Sequence, residues 1–279
     1  MFRLMNVSRF LPALIFSAVL TCAAYAQHEQ TRLDVPYVPT PSTVVKRMLE
    51  LAKVGKDDFV IDLGSGDGRI AIAAAKDFGA RSLGVDIDPQ RILEANENAS
   101  KAGITDRVTF RRQNLFETEI KDANAITMYL LSSVNLQIRP RLLDELRPGT
   151  RLVSHAFGMA AWQPDVHEKV DNRDVYLWIV PAKAAGQWRV KDGSRSFTMQ
   201  FFQSFQELNG AALIDGRSVP LVNGKLNGES IAFTLEFDGK PQVFQGKVTG
   251  DKMEASDGPL APKRDWSAAR TSEPGDRKN

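Results

Sequence analysis

The stretch FVIDLGSGDGR, residues 59–69, decides the fold. Its first six residues form a β-rich run of the length of a buried strand. Gly64, Gly66 and Gly68 follow at alternate positions and let the backbone turn sharply, approaching a ligand where any Cβ would clash. A helical stretch, RIAIAAAKDF, starts at Arg69, so its unpaired N–H groups face the same space. Strand, glycine loop and helix in that order form a cradle for a nucleotide-like cofactor.

Working outward, short β-rich runs alternate with helical ones from about 57 to 180, which argues for βαβ units and a parallel sheet. Gly79 caps the first of these helices. SLGVDI (82–87) is the second strand, and Asp88-Pro89 supplies an N-cap and a first-turn proline for a helix to about Gly103. RVTFRR (107–112), AITMYL (125–130) and TRLVSHAF (150–157) continue the strands. Val134 to Leu146 is helical material that Pro140 should interrupt or restart. DVHEKV (165–170) and DVYLWIV (174–180) read as a closing antiparallel hairpin. A further helix, STVVKRMLELAKV, follows Pro36, Pro39 and Pro41.

After PAKAAG (181–186) the pattern changes. Asp192-Gly193, Asn209-Gly210, Asp215-Gly216, Asn223-Gly224, Asn227-Gly228, Asp238-Gly239 and Asp257-Gly258 are turn dipeptides of the hairpin type. Ile231, Phe233, Leu235 and Phe237 alternate with smaller or polar residues, and Phe197, Met199, Phe201 and Phe205 share a second apolar face. The expectation is an antiparallel meander closing into a small β-barrel, with Gln200, Gln203 and Gln206 on its solvated outside. Trp162, Trp178, Trp188 and Trp266 read as core anchors. The organisation expected is a leader at 1–26, an α/β domain at 27–182, a β domain at 187–270 and a disordered polar tail, TSEPGDRKN, from 271.

Dinucleotide binders use G-x-G-x-x-G, whereas this loop is G-x-G-x-G behind Asp62. An acid beside the loop disfavours phosphate and suits a cation. S-adenosylmethionine fits, with an ammonium, a sulfonium and a ribose but no phosphate. Asp86, ending the second strand, is placed to accept from both ribose hydroxyls. Here the sequence resembles, over about residues 35–182, the class I S-adenosylmethionine-dependent methyltransferases. Their first motif is matched by Asp62-Leu63-Gly64-Ser65-Gly66-Asp67-Gly68 and their ribose-binding acid by Asp86. The resemblance implies a Rossmann-like seven-stranded sheet and extends the cofactor site to Ile87, Asn114 and Leu115. Where an acid often stands at the adenine edge, this chain has Asn114.

MYLLSSVN, after the fourth strand, departs from the Asn/Asp-Pro-Pro-aromatic loop of amide- and base-N-methylating enzymes. Together with PYVPTP it is more similar to the lysine methyltransferases of mitochondrial membrane proteins and their bacterial relatives. That implies an amine acceptor, on a protein or a small molecule. Tyr129 and Asn135 are the catalytic candidates, and Tyr37, Thr40, His155 and Trp162 the acceptor-side candidates. The β domain matches no family in this reading.

Composition narrows the alternatives. The chain has 36 Lys+Arg against 34 Asp+Glu, and Arg3 and Arg9 lie in the leader, so nothing electrostatic points to nucleic acid. Three histidines and one cysteine, Cys22, leave no metal site to expect. Arg3, Arg9, the apolar Phe10–Leu20 run and Ala24-Tyr25-Ala26 read as an export signal cleaved after Ala26, leaving no membrane span. The expected location is therefore periplasmic or extracellular. Two alternatives stay open at this level: a catalytically silent S-adenosylmethionine-fold module of the envelope, and an aminopropyl transferase or NAD enzyme of the same topology.

Overall fold

A computed structural model of the chain describes residues 37–237, 239–257 and 264–272. The expected leader, residues 273–279 of the expected tail, Asp238 and Gly258 lie outside them. Thr271 and Ser272, read as tail, belong to the last strand.

The first half is a three-layer α/β structure. Helix α1 is Ser42–Leu51, β1 Phe59–Leu63, α2 Arg69–Phe78, β2 Arg81–Asp86, α3 Pro89–Ala102 and β3 Val108–Arg112. After a 3-10 turn at Leu115–Glu117 come β4 Ala125–Met128, α4 Ser132–Glu145, β5 Arg151–His155, β6 Val166–Val170 and β7 Arg173–Ile179. The sheet order is β3-β2-β1-β4-β5-β7-β6, with β1 to β5 parallel and β7 antiparallel to both its neighbours. Strand alternation sorts the core. Val60, Ala125, Val153 and Val175 pack with α1 and α2 on one face, while Ile61, Leu63, Ile126, Met128, Leu152 and Trp178 pack with α4 on the other. Each fully buried aliphatic or aromatic side chain contributes about 1.5–3 kcal/mol.

The termini of the helices follow from their residues. Asp88 accepts from the Gln90 amide at 2.8 Å, Pro89 sits in the first turn, and Gly103 closes α3 in the left-handed region. Helix α4 runs through Pro140 without interruption. Pro140 and Leu136, whose carbonyl loses its partner, both lie on the exposed face of the helix, so the missing amide is not lost from a buried site.

The second half comprises β8 Gly186–Asp192, β9 Arg195–Ser204, β10 Glu207–Ile214, β11 Arg217–Pro220, β12 Val222–Asn227, β13 Ser230–Phe237, β14 Lys240–Thr249, β15 Lys252–Ala255 and β16 Trp266–Ser272. Strands β10-β12-β13-β14-β15-β16-β8-β9 run in sequence around a ring that β9–β10 pairing closes, with β11 appended to β10. The interior is filled by Trp188, Phe197, Met199, Phe201, Phe233, Phe244 and Trp266, all buried. All four tryptophans of the chain are core residues.

Two of the expected turns are strand features instead. Asn209-Gly210 lies inside β10, where a Cβ on Gly210 would stand 1.9 Å from the Gln200 carbonyl oxygen, so glycine marks a close approach of the paired β9 backbone. Asn223-Gly224 forms a bulge in β12, with Asn223 at φ 55°. Phe205 leaves the apolar face assigned to it. It occupies the β9–β10 turn at φ 55° and points out of the barrel.

The described residues fall in one compact unit, Leu33–Asn279, and the two halves are joined by specific contacts. Phe205 stacks on Trp162 at 5.6 Å and 6°. Gln206 Nε2 donates to the Gln163 carbonyl at 2.7 Å. Gln203 Oε1 accepts from the amides of Ala184 and Ala185, and its Nε2 donates to the carbonyls of Ala182 and Phe205. Gln203 and Gln206 thus hold the connection between the halves rather than facing solvent.

Candidate functional site

A cleft of about 890 Å³, counting its open mouth, lies over the C-terminal edge of β1 to β4, where ligands of open α/β sheets bind. Its floor is the glycine loop. Gly64, Gly66 and Gly68 all have φ between 54° and 82°, a region costly for other residues. Each also packs tightly: Leu130 lies against Gly64, Tyr37 against Gly66, and Phe110 with Ala95 against Gly68. Gly68 faces the α3 side and does not line the cleft. Gly64, Ser65, Gly66 and Asp67 do.

Asp86 ties the loop to β2. Its Oδ2 accepts from the Gly66 amide and its Oδ1 from the Asp88 amide, both at 2.9 Å. The carboxylate is held at the cleft wall with lone pairs to spare on both oxygens. Ser65 lines the cleft, while its Oγ is buried without a hydrogen-bond partner. Val85, Ile87 and Leu115 make an apolar slot beside Asp86. Asn114 lines the slot, and its Oδ1 caps the short turn by accepting from the Phe116 amide at 3.0 Å.

Charge along the wall is already balanced. Arg69 donates to both Asp67 oxygens at 2.9 and 2.7 Å and to the Thr40 carbonyl at 2.9 Å. Burial raises the Asp67 pKa, but this guanidinium outweighs it and holds the carboxyl below its ordinary range. Arg91 is paired with Glu94 at 2.7 Å, and its guanidinium lies 4.5 Å from the Tyr37 ring centre. Both arginines on the wall are thus engaged, Arg91 also with Asp88 at 3.8 Å, leaving Asp86 to set the field. A carboxylate for vicinal hydroxyls and an apolar slot beside it fit S-adenosylmethionine and do not favour a phosphate.

Asp62 departs from expectation. It is 1% exposed, lies beneath the loop and does not line the cleft. Its register partners, Gly84 and Thr127, leave room within the sheet. The Thr127 hydroxyl donates to Oδ1 at 2.7 Å, while Oδ2 has no partner. Burial pushes its carboxyl up to about 7. Asp62 is therefore a support under the loop and not a charge presented to the ligand.

The other end of the cleft is formed by Thr40, Pro39, Tyr129 and Leu130. Tyr37 lies across Gly66 and closes the loop side, so it is a cover over the cofactor pocket rather than a residue of the acceptor end. His155 stands behind the wall at 1% exposure, its ring 3.9 Å from that of Tyr129 and its Nδ1 3.1 Å from Thr40 Oγ1. Burial lowers its pKa to about 4, so the ring is neutral near pH 7. Asn135 is also buried off the cleft. Its Nδ2 donates to the carbonyls of Phe157 and Gly158 at 3.1 and 3.4 Å, which anchors the segment after β5. Trp162 is sealed between Trp178 and Phe205, away from the cleft. Asn135, His155 and Trp162 thus do not line the cleft, and of the three His155 backs the wall at Thr40 and Tyr129. Arg69 and Arg91 were not legible as site residues, because nothing in helix periodicity shows that they fold back over the loop.

Residues 62–166 match the ANTKMT methyltransferase domain. The chain is 50% identical over 151 residues to a protein-lysine N-methyltransferase of Saccharolobus islandicus, a match covering 52% of this chain and 94% of that one. It is 34% identical over 133 residues to the mouse adenine nucleotide translocase lysine N-methyltransferase, covering 48% of this chain and 58% of the relative. Among solved structures it is similar to an RNA methyltransferase from Salinibacter ruber in complex with S-adenosyl-L-homocysteine, at 50% identity and a TM-score of 0.52. That match covers 52% of this chain and 95% of the other. None of these relatives supports the silent-module alternative, and the cofactor is S-adenosylmethionine. With this fold, this loop and these relatives, the chain belongs to the class I S-adenosylmethionine-dependent methyltransferases, in the family that includes protein-lysine N-methyltransferases.

Proposed function

We propose that the enzyme methylates a lysine side chain of a protein substrate. What carries this reading is the 50% identity over nearly the whole length of a relative named for that activity. The acceptor end of the cleft is compatible with it. Bound S-adenosylmethionine supplies an electrophilic methyl group on a sulfonium. Thr40, Tyr129 and Leu130 supply a neutral, partly apolar wall, backed by an uncharged His155. Such a wall disfavours the ammonium form of lysine and favours the free amine that attacks. An amine arriving neutral needs alignment more than a base, and positioning alone supplies a large part of such a rate.

The cellular location belongs to the same proposal. Arg3, Arg9, the apolar run Phe10–Leu20 and Ala24-Tyr25-Ala26 support export with cleavage after Ala26, which makes the acceptor an envelope or extracellular protein. Among the described residues no helix is long and apolar enough to cross a membrane.

The test is incubation of purified protein with methyl-labelled S-adenosylmethionine and fractionated extract, followed by acid hydrolysis of the labelled material. Label in methylated lysine is the expected result. Label recovered in RNA, or in no fraction, overturns the reading. Sequencing the N-terminus of the protein from its native host tests the export proposal, with Gln27 expected first.

A further inference from the structure

Aromatic side chains fill the interior of the barrel. Its β9–β10 turn is built at a conformational cost. Phe205 holds φ 55°, a backbone state for which hairpins of this kind select glycine. The ring that occupies this glycine position is stacked on Trp162 at 5.6 Å, with the Arg139 guanidinium 5.3 Å from its centre. Beside it Gln206 donates to the Gln163 carbonyl.

These contacts converge on the segment Ala156–Gln163, which follows β5 at the ligand edge of the sheet. Helix α4 grips the same segment from the other side, through Asn135 on the Phe157 and Gly158 carbonyls and Arg139 on the Met159 carbonyl at 2.9 Å. The segment in turn presents Phe157 against Tyr129, ring centres 6.2 Å apart and 26° from parallel. Tyr129 is a wall of the acceptor end. The route from the barrel turn to the acceptor wall therefore runs through the Trp162 stack, the backbone of residues 157–162 held by α4, and the Phe157–Tyr129 contact, and it bypasses the glycine loop and Asp86.

We propose that the Phe205-Gln206 turn of the barrel is a positioning element for the acceptor wall, acting through Trp162 and Phe157 on Tyr129. The acceptor in question is the one assigned above, so the proposal rests on the lysine-transfer reading. Its test uses the full chain. Phe205→Gly suits the backbone of the turn and removes only the ring. It is expected to raise KM for the acceptor at least tenfold, with kcat and S-adenosylhomocysteine affinity unchanged within twofold. Phe205→Trp is expected to restore KM to within threefold.

A second readout needs no acceptor. In the S-adenosylhomocysteine complex, hydrogen exchange at amides 156–163 is expected to speed up at least tenfold in Phe205→Gly, while amides 64–70 keep their wild-type rates. Unchanged exchange at 156–163, or a fall in S-adenosylhomocysteine affinity parallel to the rise in KM, overturns the proposal. A wild-type enzyme that methylates no lysine overturns the lysine reading alone, and the exchange result still decides the role of the turn.

Discussion

The Gly66 amide donates to Asp86 Oδ2 at 2.9 Å, so the glycine loop and the end of β2 are bound to one another where the floor of the ligand cleft meets its wall. One carboxylate both shapes the loop and faces the ligand. Asp86→Ala removes both roles at once. A hydrogen bond to a charged group is worth about 1.5–3 kcal/mol, which corresponds to roughly 10- to 150-fold in binding. Calorimetry with S-adenosylhomocysteine is expected to show a loss of that size, and an unchanged Kd contradicts the assignment.

Gly68 is required for packing as well as for conformation. A Cβ there meets Phe110 Cζ at 2.5 Å, and φ is 82°. Gly68→Ala is expected to destabilise the protein by about 2–4 kcal/mol, combining left-handed strain with overpacking. Gly103→Ala is the matched control, since its φ of 69° comes with open space around the new carbon. It should cost only the conformational part, about 1–2 kcal/mol, as read by urea denaturation.

Asp62 and His155 give opposing pH dependences. The Asp62 pKa rises from 3.8 to about 7 on folding. The folded state therefore holds a proton that the unfolded state has released, and stability from this group falls as pH rises from about 4 to 7. The His155 pKa falls from 6.5 to about 4. Here the unfolded state binds the extra proton, so stability is full above 6.5 and is lost as pH falls toward 4. The wild-type Tm is expected to be nearly flat between pH 4.5 and 6.5. Asp62→Asn should turn that range into a rise with pH, and His155→Gln into a fall. Scanning calorimetry of the three proteins checks this, and parallel profiles for the two variants contradict it.

Gln203 makes four hydrogen bonds to backbone groups, three of them on the 182–185 connection and one on Phe205. Gln203→Ala leaves those groups without their partner, at a cost of about 1–3 kcal/mol. Limited proteolysis is expected to cut the variant within residues 181–186 faster than the wild type, yielding two fragments near the halves of the chain.

The elements whose boundaries depend on local chemistry were legible in the sequence. Asp88-Pro89 caps α3 as its residue types require, and strand, glycine loop and helix follow one another from Phe59 to Phe78. The β domain was legible from alternation, since Ile231, Phe233, Leu235 and Phe237 do face one core. What escaped depends on tertiary partners. Phe205 continues the alternation of β9 in sequence, yet the strand ends at Ser204 and the next residue turns outward. Asn209-Gly210 has turn chemistry, but the paired β9 strand, with its Gln200 carbonyl close by, keeps it inside the ladder. Asp62 reads as a charge near the ligand because sequence does not reveal depth within a sheet. Gln203 and Gln206 look solvated until the other domain is placed against them.

Ring closure in the barrel also sets an order of assembly. Strand β16, the last among the described residues, lies between β15 and β8, and Trp266 pairs in register with Asp192 at the other end of the domain's sequence. Until β16 arrives, β8 and β15 are open edges, and unpaired edges recruit other chains. The long sequence separation of these partners also makes closure slow. A chain stopped before Trp266 would therefore be an aggregation hazard despite retaining every residue of the cofactor cleft.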